Sequence, residues 1–211
     1  MAIQTDKAIL ANDFPESTKK RLIELEALLA NSQDERITSA KICQLTGWKD
    51  SLVRHDLWLI KNKSRGWKNG YSTSELLQTI RSTLHGKTED NEVRVCIAGL
   101  GRLGAALLDE TLLDGSGFVI KAGFDSNVNR VEILRSTFPL YPAGDMNWVI
   151  KQEHITKAIL TVADKDAQTM CDRLVKAGIT GIVNMTRAVL KVPDGVKVEN
   201  VSVVNALKLI I

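Results

Sequence analysis

Val93-Arg94-Val95-Cys96-Ile97-Ala98-Gly99-Leu100-Gly101-Arg102-Leu103-Gly104 is an apolar, partly β-branched run that passes directly into G-x-G-x-x-G. The run before Gly99 suits a buried parallel strand, and Ala105-Ala106-Leu107-Leu108 is expected to start a helix. That order is what a phosphate site needs. Gly99 permits a tight turn, Gly101 lets backbone approach a pyrophosphate, and Gly104 allows close helix–strand packing; the helix N-terminus adds free N–H groups. A second strand, Phe118 to Phe124, ends in Asp125, twenty-one residues after Gly104. A carboxylate there can accept hydrogen bonds from adenosine ribose hydroxyls and would repel a 2′-phosphate, so the spacing favours NAD(H) over NADP(H).

Working outward, Lys157 is followed by Ala158-Ile159-Leu160-Thr161-Val162-Ala163, which reads as a buried strand. Asp166 to Ala177 reads as a helix closed by Gly178, Gly181 to Met185 as a strand, and Val196 to Val203 as a last extended segment. Strand–helix alternation predicts a Rossmann-type, doubly wound parallel sheet with its ligand across the C-terminal strand ends. Leu100, Arg102, Leu103, Ser126, Arg130, Val162, Ala163, Asn184, Met185 and Thr186 join Gly99, Gly101, Gly104 and Asp125 as candidate cofactor residues. Trp148, in an amphipathic stretch, is given a packing role.

More than ninety residues precede the glycine loop, which predicts a separate N-terminal domain. Residues 1–84 carry 13 Lys and Arg against 10 Asp and Glu, whereas residues 85–211 carry 15 of each. The excess is concentrated between Arg36 and Tyr71, with eight bases against Asp50 and Asp56 alone. A local field of that sign suits a phosphate backbone. Pro15 to Asn31 predicts an amphipathic helix on Leu22, Leu25, Leu28 and Leu29. A second helix begins near Thr38, its N-cap being Thr38 or Ser39, with Ile42 and Leu45 inward, and ends at Gly47. A third restarts at Lys49-Asp50-Ser51, with Leu52, Val53, Leu57, Leu59 and Ile60 apolar around Arg54 and His55. This is a helix-turn-helix order, whose last helix enters the major groove. Lys61 to Tyr71, basic and closed by Asn69-Gly70, predicts a β-wing, and Thr73 to Leu84 a further helix. Ser51, Arg54, His55, Lys61, Lys63, Arg65, Gly66 and Lys68 are the candidate DNA-binding residues; Trp58 is expected to fill the small core.

These stretches, in this order, resemble the Rex family of bacterial NADH-sensing transcriptional repressors over residues 15 to 211. Val53-Arg54-His55-Asp56-Leu57 is similar to the family's Ile-Arg-Lys-Asp-Leu recognition segment, and Arg65-Gly66 with Gly70-Tyr71, with two extra residues between them, to its Arg-Gly-x-Gly-Tyr wing. Phe124-Asp125, Gly181-Ile182-Val183-Asn184 and Val192-Pro193-Asp194-Gly195-Val196 also match family motifs. Departures fall at His55 for Lys, Ala163 in Val-Pro, Met185 and Arg187 in Asn-Phe-x-Pro, and Ser202 for Asp. The resemblance implies a homodimer on a palindromic operator, NAD (NADH/NAD+) as cofactor and exchange of C-terminal helices. The apolar tail Val201 to Ile211 needs burial on several faces, which a second subunit would give; a final core strand and short helix within the monomer is the other reading.

The expected division is residues 1–84 as a winged helix-turn-helix domain, 85–91 as linker, 92–200 as the Rossmann domain and 201–211 as a C-terminal helix. Three cysteines without C-x-x-C spacing, no apolar signal segment in Met1 to Glu16 and no long apolar run predict a cytoplasmic, soluble chain without metal. Two other function classes stand beside the redox-responsive repressor. One is a Rex-like DNA-binding protein that has lost redox discrimination or binds another nucleotide such as coenzyme A. The other is an NAD-dependent oxidoreductase with an appended helix-turn-helix, but His55, His85 and His154 all lie away from the crevice, leaving only Asp164 and Lys165 beside it.

Overall fold

The computed structural model describes residues 14–60, 70–85, 92–108 and 113–211, without the side chain of His85. The chain divides into two compact units between Asp90 and Asn91. In the first, α1 (Glu16–Ala30) buries Leu22, Leu25 and Leu29, the face its leucine spacing dictates. β1 (Arg36–Ile37) leads to α2 (Ser39–Thr46), whose N-cap Thr38 accepts a hydrogen bond from the Lys41 amide. Gly47, at φ 72°, ends α2 in the left-handed conformation that glycine adopts without penalty. α3 (Asp50–Leu59) follows, then β2 (Tyr71–Ser72), antiparallel to β1 with Ile37 opposite Tyr71, and α4 (Thr73–His85). Lys61, Lys63, Arg65, Gly66, Trp67 and Lys68, and with them the expected wing, lie outside the described residues, as does most of the expected linker.

Three inward expectations fail in this unit. Leu45, Leu52 and Trp58 are 52%, 40% and 69% exposed. The core face of α3 is instead Val53, Asp56, Leu57 and Ile60, spaced three, four and seven apart; it accepts a carboxylate and leaves the indole outside.

The second unit is built on β3 (Val93–Ala98), β4 (Phe118–Asp125), β5 (Leu140–Pro142), β6 (Lys157–Leu160), β7 (Gly181–Asn184) and β8 (Lys197–Asn200). All pair in parallel, in the spatial order β5-β4-β3-β6-β7-β8. The order reverses between β3 and β6, which is the switch point of a Rossmann sheet. α5 (Arg102–Ala106), α6 (Val128–Ile133), α7 (Met146–Gln152) and α8 (Ala167–Ala177) lie in the crossovers, and α9 (Val203–Lys208) follows β8. Cys96 and Ala98 of β3 pack towards Met146, Ile150, Cys171 and Leu174, whereas Ile97 packs with Leu100, Leu108 and Ile120. Alternate residues of β3 therefore feed two cores, one on each face of the sheet at that strand, whereas β7 and β8 leave Val183 and Glu199 exposed.

Several boundaries differ from expectation. α5 begins at Arg102, inside the glycine loop, because Gly101 is its N-cap and Gly104 belongs to its first turn. β6 stops at Leu160, and a 3-10 turn over Asp164–Asp166 precedes α8. The last strand covers only Lys197–Asn200, since Ser202 caps α9 through the Asn205 amide. Trp148 is 64% exposed, because α7 turns Met146, Val149 and Ile150 inward. The tail is no core element of this chain, for Val203, Val204, Leu207, Leu209, Ile210 and Ile211 are all exposed.

Candidate nucleotide cleft and outward helix face

The loop after β3 is fixed from three sides. Gly99 has φ 101°, and its N–H donates to the Phe124 carbonyl at 2.8 Å. Its carbonyl accepts the Thr161 hydroxyl at 2.6 Å. A Cβ on Gly104 would stand 1.8 Å from that same carbonyl oxygen, so only glycine lets α5 rest against the strand end. Over Gly101, by contrast, an added Cβ would meet nothing within 4 Å. That backbone is open to a ligand.

Asp125, 5% exposed at the end of β4, faces this loop. Its carboxylate accepts the Leu100 amide at 2.7 Å, the Asn127 amide at 2.7 Å and the Arg130 guanidinium at 3.3 Å. Two ionised carboxylate oxygens offer about four acceptor directions, so one remains for a ribose hydroxyl. A cleft of about 790 Å³ opens here, bounded by Gly99 and Gly101, by Asp125, Ser126 and Arg130, and by Thr161 to Ala163. Its place across the switch point, its glycine backbone and its single buried acid fit the adenosine and diphosphate of a dinucleotide.

The other candidate residues are placed differently. Leu100 contributes its amide while its side chain joins the core; Arg102 and Leu103 are exposed on α5. Asn184 is fully buried. Its amide donates to Ala188 and Asn200, and its oxygen accepts the Thr186 amide and hydroxyl, so it holds the loop after β7 and keeps no polar atom for a ligand. Asn184, Met185 and Thr186 do not line the cleft as it stands. Asn127, Val128, Asp166 and Met170 do, and were missed. Asn127 had a signal, since Asp-Ser-Asn before an apolar segment is a helix-start pattern and Asn127 caps α6.

One departure from family pattern, Arg187, pairs with Asp164, the neighbour of another, Ala163. Arg187 donates to Asp164 from its backbone N–H at 2.9 Å and from its guanidinium at 2.8 and 2.7 Å. A proline at 187 would lack the first of these donors. The Arg187 amide and then its guanidinium hold the Asp164 carboxyl below the ordinary aspartate range. That pair joins the loops after β6 and β7. The thiols are remote from such chemistry: burial pushes Cys96 up to about 12, and it raises Cys171 as well.

In the first unit Ser51, Arg54 and His55 are exposed together on α3, with Arg54 paired to Asp50 at 2.7 Å. On the inner face Asp56 receives Arg21 at 2.6 and 2.9 Å and the Thr18 hydroxyl at 3.4 Å. Among the described residues no His, Cys, Asp and Glu group could hold a metal, and no helix is long and apolar enough to cross a membrane.

Residues 90–188 match the model of a CoA binding domain. Over 202 residues the chain is 32% identical to the redox-sensing transcriptional repressor Rex of Limosilactobacillus reuteri (strain DSM 20016), covering 94% of this chain and 92% of that one. Solved structures of RSP, a Rex-family repressor, are also similar. The complex with β-NADH gives a TM-score of 0.79 at 29% identity, over 93% of this chain and 92% of that one. The complex with β-NAD+ and operator DNA gives 0.80 at 28%, over 93% and 90%.

Proposed function

The chain belongs to the Rex family of redox-sensing transcriptional repressors, and from that premise we propose that it is a cytoplasmic homodimer that represses from a palindromic operator according to the NADH:NAD+ ratio. It is a regulator and not an enzyme. Residues 1–84 meet the DNA, with Arg54 reading base edges and Lys61, Lys63 and Lys68 meeting phosphates. Residues 92–200 hold the cofactor. The observation that carries this reading is the Asp125 carboxylate, set against the glycine loop inside the cleft.

Asp125 also weighs against coenzyme A, whose ribose 3′-phosphate would lie close to the carboxylate. Reduced and oxidised cofactor share their adenosine and diphosphate contacts, so the two are told apart at the nicotinamide end. Reduction removes the positive charge of that ring. Ala163, Met185 and the Asp164–Arg187 pair stand on the loops expected at that end. A ligand shifts the DNA-binding equilibrium only if it binds one arrangement of the dimer more tightly than the other.

NAD+, NADH and NADPH titrated separately into the DNA-bound protein test this reading. NADH is expected to release DNA and NAD+ to leave it bound, with NADPH the weakest ligand. Asp125→Ala should narrow the gap between NADH and NADPH in calorimetry by about tenfold, the size of one charge-assisted contact. Tighter binding of NADPH than NADH by the unaltered protein would overturn the cofactor assignment.

The exposed apolar tail supports the dimer. Removing residues from Val203 onward should leave a monomeric or aggregating product in light scattering. A well-behaved truncated dimer would overturn exchange of the C-terminal helices.

A further inference from the structure

Among the described residues, Trp58 joins no buried cluster of its unit. It is 69% exposed, although a buried tryptophan is among the largest apolar contributions a small core can receive. Its position explains the exposure. Ser51, Arg54, His55 and Trp58 are spaced three, four and seven apart and form one outward stripe of α3, while Val53, Asp56, Leu57 and Ile60 form the buried stripe. The ring of His55 lies 6.4 Å from that of Trp58, tilted by 36°, so the indole is braced on this face.

The surroundings select the occupant. Between Arg36 and Tyr71 eight bases stand against two acids, and of those Asp56 is buried and Asp50 is paired with Arg54. An apolar protein surface would gain nothing from that excess, whereas a polyanion would. We infer that Trp58 is a DNA-contact residue, its indole packing on deoxyribose carbons and a thymine methyl group at the wall of the major groove beside the Arg54 contact. The inference rests on the DNA-binding reading above. Four residues at 1.5 Å rise place Trp58 about 6 Å further along the helix than Arg54, which is roughly two base-pair steps. Apolar contact with the thymine methyl is one of the direct readouts the major groove allows. The contact carries no charge, so it adds affinity and a preference for A·T without releasing counterions.

The test uses the full-length protein and a duplex recovered by selecting a random-sequence library on it. Anisotropy at several salt concentrations should show Trp58→Ala weaker by roughly tenfold with an unchanged salt slope, and Trp58→Phe close to the unaltered protein. Deoxyuridine in place of thymine, one position at a time, should weaken the unaltered protein at one step of each half-site and leave Trp58→Ala indifferent there. Equal binding by Trp58→Ala and the unaltered protein would overturn the inference. So would a deoxyuridine penalty of the same size in both, or loss of helical circular dichroism in Trp58→Ala, which would mark a packing role. If the unaltered protein enriches no duplex, the DNA-binding reading itself fails and the contact falls with it.

Discussion

Gly104→Ala should abolish measurable dinucleotide binding, whereas Gly101→Ala should keep the fold and lose only the ligand. At Gly104 the new methyl would lie 1.8 Å from the Gly99 carbonyl oxygen and 2.8 Å from the Thr161 hydroxyl. Neither is the loose end of a flexible side chain; one is backbone and the other is the hydroxyl that donates to the same carbonyl. Relief requires α5 to move away from the end of β3. That movement disturbs the Leu100 amide, which Asp125 holds at 2.7 Å. Overpacking of a fixed site costs about 1–3 kcal/mol and more where backbone must shift, so a loss of at least a hundredfold, about 3 kcal/mol, is expected together with a lower melting temperature. Gly101 has φ −66° and open space above it, so alanine fits the free protein. Its methyl would instead occupy the place where a diphosphate approaches. Melting curves and calorimetry on the two variants separate the roles, and undiminished NADH binding by Gly104→Ala would overturn the cradle.

What could be read from sequence here depended on how local the cause was. Strand, glycines and Asp125 lie within thirty-three residues and answer to one ligand geometry, so their order alone places the cleft. The stop at Gly47 and the cap at Thr38 are equally local. The reading failed where a residue's partner is distant. Asp56 breaks the apolar stripe of α3 in sequence, because the Arg21 that neutralises it comes thirty-five residues earlier. With that stripe obscured, Leu52 and Trp58 looked like core by type, although their helical positions put them outside. Asp164 and Arg187, twenty-three residues apart, read as a crevice acid and a separate motif departure and are one pair. Asn184 reads as a ligand group because it ends a strand at the crevice, while in the structure its amide donates to Asn200, sixteen residues on in β8.

The same distant pair supports the second large effect. Asp56 is 3% exposed and Arg21 is also mostly covered, so removing either leaves the other with a charge it cannot easily solvate. Breaking such a pair costs about 3–5 kcal/mol when both groups are buried, and about 3 kcal/mol is expected here because the Arg21 side chain keeps 18% exposure. A unit of this size has a total stability of only roughly 5–10 kcal/mol, and about 3 kcal/mol should lower its melting temperature by some 10–20 °C. Asp56→Ala and Arg21→Ala should both show this, with weakened DNA binding, since the pair fixes the face that α3 turns outward. The double variant Arg21→Met with Asp56→Leu distinguishes the worth of the pair from the penalty of orphaning a charge. Replacing both members by apolar groups of similar volume removes the desolvation term along with the attraction, so its stability should return to within about 1 kcal/mol of the unaltered protein. If each single variant melts like the unaltered protein, Asp56 is solvated in solution and does not tie α3 to α1.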